Sequence, residues 1–123
     1  MSTAEVYLDR ISDICGELPE TSATGSPHPT YTVRGRAFAW FLDDHHGDGR
    51  LAVAVAPGPG WQQKLVARGP ERYYVPRQAA GRGWVALRLD RPGVDWAEVG
   101  ELLRRAYRAA APEHLAAQVR VSA

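Results

Sequence analysis

Apolar residues recur at helical spacing at both ends of this chain and alternate at strand spacing in its middle. Tyr7, Ile11, Ile14, Cys15 and Leu18 form the stripe of an amphipathic helix over Ser2 to Cys15. Ser2 and Glu5 stand at capping-box spacing, and Gly16 and Pro19 end the helix. Strands are predicted at Tyr31 to Val33, Ala37 to Leu42 and Leu51 to Ala56, from β-branched and aromatic content bounded by Gly and Pro, while the Glu20 to Pro29 stretch is turn-rich with room for a short strand around Thr21–Thr24. Arg34-Gly35-Arg36 reads as a tight hairpin turn, and Asp43 to Arg50 as a longer hairpin loop.

Pro57-Gly58-Pro59-Gly60 breaks the sheet, and a short helix follows over Trp61 to Arg68. Tyr73 to Val75 reads as a short strand that Pro76 limits to an edge or an irregular run, because proline cannot donate to a ladder. Gln78 to Gly83 is a turn, and Trp84 to Leu89 is the clearest strand. A second amphipathic helix runs from Trp96 to about Ala110. Asp95 is its cap, Glu98 sits at the third helical position, and Val94 and Val99 are placed as a staple. Pro112 opens a last short helix, Glu113 to Val119. The order predicts one α+β domain over residues 1–123, an antiparallel sheet with helices packed on one face.

Alternation assigns the sheet faces. Leu51, Val53 and Val55 oppose Ala52, Ala54 and Ala56, while Val85, Leu87 and Leu89 oppose Trp84, Ala86 and Arg88. Phe38, Trp40 and Leu42 oppose Ala37, Ala39 and Phe41. The helices are expected on the bulky face. The alanine-rich face is expected to be thinly covered, with Trp84 and Arg88 among its larger side chains, open to a ligand, a protein partner or a second copy of the chain.

Charge changes this picture. The net charge is +1, but residues 1–63 hold four arginines against eight acids, and residues 64–108 hold ten Lys and Arg against five acids. A segregated basic half supports an anion-binding face. A general use of Arg as surface cation, 14 arginines to one lysine, accounts for it equally. The single Cys15 lies on the first apolar stripe and cannot form an internal disulfide, which fits a reducing cytoplasm. The opening residues carry acids and no cationic start before an apolar core, so no secretory leader is expected. No apolar run reaches the ~20 residues of a membrane span.

No catalytic constellation is visible. Asp44, His46, Asp48 and Gly49 match the opening of a calcium loop, but its twelfth position is Val55 where a glutamate is needed. His28 and His114 have no zinc-type partners at the required spacing, and no Gly-x-Ser-x-Gly turn occurs. Gly58 and Gly60 are only a fragment of a phosphate loop. Glu5, Asp9, Asp13 and Glu17 share a helix face, leaving a metal or a basic partner as one further reading beside a solvated face. No cofactor, metal site or enzymatic activity is expected. The candidate phosphate-binding residues are Arg34 and Arg36 at a hairpin tip, Arg77 and Arg82 around the turn before Trp84, and Arg104, Arg105 and Arg108 on the long helix.

From about Leu18 to Ala117 the chain resembles the MmcQ/YjbR family. The resemblance rests on Leu18-Pro19-Glu20, on the run from Thr30 to Ala39, on Gly81-Arg82-Gly83-Trp84-Val85, on Leu89-Asp90 and Asp95-Trp96, and on Ala106-Tyr107 followed by Ala111-Pro112. It implies a frataxin-like, double-wing fold and a DNA-binding protein without established catalytic residues, and with the lone Cys15 a cytoplasmic DNA-binding protein is expected. Where Arg36 stands the family pattern often has a lysine, so the cation is kept.

Overall fold

The computed structural model describes residues 2–44, 47 and 49–121. Six strands form one antiparallel sheet in the order β1-β2-β3-β4-β6-β5. They are β1 (Thr21–Thr24), β2 (Thr30–Val33), β3 (Arg36–Asp43), β4 (Leu51–Val55), β5 (Tyr73–Tyr74) and β6 (Val85–Arg88). The helices are α1 (Thr3–Gly16), α2 (Trp61–Arg68), α3 (Trp96–Ala110) and α4 (Glu113–Ala116), with a 3₁₀ segment over Arg77–Arg82. No helix among the described residues is long and apolar enough to cross a membrane.

The helix starts follow local chemistry. Ser2 Oγ accepts the Glu5 N–H at 3.1 Å, and Asp95 Oδ1 accepts those of Ala97 and Glu98 at 3.0 and 3.2 Å. Each cap satisfies donors that a helix start leaves without partners. On α3, Val99, Leu103, Ala106 and Tyr107 are fully buried against the sheet. Phe38 and Tyr107 meet edge to face at 5.7 Å, and the Tyr107 hydroxyl donates to the Pro19 carbonyl at 2.6 Å. That bond ties α3 to the chain segment entering β1. Cys15 is buried beside Ile11, and burial pushes its thiol up to about 12. It serves as a small apolar side chain, as its place on the stripe predicts.

The face assignment for β4 and β6 holds, whereas that for β3 needs correction. Tyr31 pairs with Ala39 and Thr32 with Ala37, so a bulge at Phe38 shifts the register. Phe38, Ala39 and Phe41 therefore all join the core beneath the helices, with Val53, Val55, Val85 and Leu87. Trp40 and Leu42 turn to the alanine-rich face, opposite Ala54 and Ala52. This face is not thinly covered. Leu42, Ala52, Ala54, Ala79, Trp84 and Ala86 form a second buried cluster, flanked by Trp40, Ala56 and Tyr74. Small side chains on β4 leave the depth that the two tryptophans fill. The 3₁₀ segment brings Ala79 over them, and Trp84 ends only 6% exposed.

Candidate nucleic-acid interface

The loop between β4 and α2 sets the geometry of the basic surface. Its glycines hold left-handed φ values, +101° at Gly58 and +81° at Gly60, which an L side chain adopts only with strain. A Cβ on Gly58 would lie 3.7 Å from that of Ala109, so the loop runs close against α3. The Gln62 side-chain amide donates to the Trp84 carbonyl at 2.8 Å, fastening the start of α2 to the start of β6.

A cleft opens on each side of this loop. The first has a volume of about 500 Å³, and Arg36, Arg82, Gln62 and Gln63 line it together with Gly58 and Gly60. The second is about 310 Å³, and Arg105, Arg108 and Trp61 line it with Gly58 and Pro59. The loop glycine and proline, with Ala109, are common to both. In the second cleft the Arg105 guanidinium lies over the Trp61 ring at 4.0 Å and the Lys64 ammonium lies 4.9 Å from it. Cation–π contact orients these side chains while keeping their charge.

Four of the seven candidate arginines thus converge on one loop. The other three are placed differently. Arg34 makes a two-point ion pair with Glu20, Nε to Oε1 at 2.6 Å and Nη2 to Oε2 at 3.1 Å. Arg104 contacts Glu101 at 3.3 Å and folds back along Gly100. Arg77 begins the 3₁₀ segment and lines neither cleft. On the second face, Arg88 holds Asp90 through two contacts of 3.0 Å. This pairing holds the Asp90 carboxyl below its usual range. The Trp84 ring is largely buried, with Arg82 at 5.8 Å from its centroid.

Two contributors escaped the sequence reading. The Pro57–Gly60 loop was legible as a strand breaker, but its role as the wall between two clefts depends on where Arg36, Arg82 and Arg105 arrive from distant elements. Alternation places Trp40 on the helix face because the bulge at Phe38 leaves no mark in it. The Asp43 to Arg50 loop is partly described. The Asp44 carboxylate accepts the Gly49 N–H at 2.6 Å and so closes its own turn. His46 and Asp48 of the calcium-like pattern lie outside the described residues. Glu5, Asp9, Asp13 and Glu17 are exposed along α1, and no cluster of metal-ligating side chains occurs among the described residues.

Comparisons with known proteins agree with this architecture. A family model described as YjbR matches residues 16–109. The crystal structure of Deinococcus radiodurans protein DR2400, with a DUF419 domain, superposes with a TM-score of 0.68. It covers 82% of this chain and 75% of that one at 24% identity, and so supports the fold. Among curated proteins, none matches the sequence significantly.

Proposed function

The chain belongs to the YjbR family, and from that premise we propose that it binds DNA without catalysing a reaction on it. The phosphate backbone would lie along the two clefts beside the Pro57–Gly60 loop. The observation that supports this reading is the convergence of Arg36, Arg82, Arg105 and Arg108 on that loop from three separate elements, β3, the 3₁₀ segment and α3. Guanidinium groups suit phosphate oxygens because their planar forks donate two hydrogen bonds at once. The larger cleft also offers an amide donor from Gln63. A partner surface centred on the Trp84 ring is less well supported, since that ring is packed into the second cluster.

Binding carried by phosphate contacts weakens steeply with salt, because each contact releases condensed counterions. A titration of labelled DNA against salt tests the proposal. The expected result is a linear fall of log K with log salt, and Arg82→Gln should reduce the slope by about one. Absence of salt-sensitive binding up to tens of micromolar protein, roughly the middle of the range of nonspecific affinities, would overturn it.

A further inference from the structure

The larger cleft continues past Arg82 into a smaller groove on the second face of the sheet. We propose that this groove receives an unpaired base, so that the preferred ligand is single-stranded DNA whose phosphates lie on the arginines. The inference rests on the DNA-binding reading above and specifies its ligand.

The groove has a volume of about 250 Å³ and is lined by Thr30, Ala37, Trp40, Arg82 and Trp84. Ala37 and Arg82 line the 500 Å³ cleft as well, so the aromatic groove and the cationic cleft meet at these two residues. The register sets two of these walls side by side, since Thr30 pairs with Trp40 across β2 and β3. Trp84 is buried and forms a wall, while Trp40 is only partly buried and presents aromatic surface to the groove.

Aromatic side chains accept any base by stacking, and a neighbouring cation holds the adjoining phosphate. The pair of features fits a strand whose bases are already splayed. A duplex keeps its bases stacked and paired, and delivering one to a groove costs the unstacking energy. The Thr30 hydroxyl at the rim adds a donor and acceptor for a base edge.

The test compares a labelled oligothymidine with a duplex of equal length at one salt concentration, with tryptophan emission read on unlabelled DNA. The wild-type protein should bind the single strand about tenfold more tightly than the duplex and show quenched emission. Trp40→Leu, which keeps apolar bulk over Ala54, should lose about tenfold in single-strand affinity and little in duplex affinity. Trp40→Phe should recover part of the loss. Thr30→Leu narrows the rim and should show the same selectivity, which keeps the test open where a Trp40 variant does not fold. Equal affinity for the two DNA forms, unchanged in these variants, would overturn the base groove and leave the arginine clefts standing. Absence of salt-sensitive binding to either form would overturn both readings.

Discussion

Glu20 and Arg34, one residue before β1 and one after β2, both hold left-handed backbone conformations and clasp each other across the sheet edge. Their φ values are +59° and +50°, and their side chains make the two contacts of 2.6 and 3.1 Å. Thr21 pairs with Val33, so the ion pair extends the β1–β2 ladder by one step. Arg34 and Gly35 form the two-residue turn into β3, with positive φ at both positions. Such a turn matches strand twist but disfavours an arginine. The contact with Glu20 opposes that local preference.

The pair makes stability depend on acid. The Arg34 hydrogen bond holds the Glu20 carboxyl below its ordinary value. A depressed folded pKa contributes stability above the unfolded pKa, near 4.3, and the contribution disappears as pH falls through the folded value. Thermal melts of wild type and Glu20→Gln should therefore differ at pH 6 and converge toward pH 3. A gap that stays constant over that range would refute the assignment.

The same pairing separates Arg34 from the binding arginines. Its charge is already matched by Glu20, while Arg36 and Arg82 face the large cleft. Arg34→Gln should leave DNA affinity within about twofold. Arg36→Gln or Arg82→Gln should weaken it several-fold at low salt, roughly one phosphate contact each. Anisotropy titrations of the three variants decide this, and a larger loss from Arg34→Gln would reverse the assignment.

The loop glycine gives a further expectation. Gly58 combines φ of +101° with close approach to Ala109. Gly58→Ala should cost about 1–2 kcal/mol, as measured by urea denaturation, because a Cβ strains the left-handed conformation. Both clefts share this residue. The variant should therefore also weaken DNA binding more than a single arginine change. Unchanged affinity would show that the two clefts do not act together.

What the sequence makes legible here is what local chemistry determines. The Asp95 cap, the apolar stripe of α3 and the alternation of β4 and β6 all appear where the pattern places them. Phe38 shows the limit. One inserted residue in β3 leaves Phe38 and Ala39 on the same face and sends Trp40 to the other. A bulge is set by pairing with β2 and leaves alternation unmarked. The arginines show a second limit. Their identity was readable, but whether each meets a carboxylate or a cleft depends on contacts between residues distant in the chain, as Arg34 and Glu20 illustrate.

Tyr107 connects this corner to the core. Its ring is fully buried against Phe38, and its hydroxyl donates to the carbonyl of Pro19, the residue before Glu20. Burial raises the phenol's pKa, so the proton is held through neutral and mildly alkaline pH. Tyr107→Phe keeps the ring and leaves that carbonyl without its donor, at a cost of roughly 1–2 kcal/mol. The Pro19 carbonyl also fixes the approach to the left-handed Glu20. Losing the bond should therefore weaken the Glu20–Arg34 contact as well. A double-mutant cycle of Tyr107→Phe with Glu20→Gln, followed by urea denaturation at pH 7, should show coupling above about 0.5 kcal/mol, the level at which independent sites stop adding. Strict additivity would mean that the ion pair holds its geometry without help from α3.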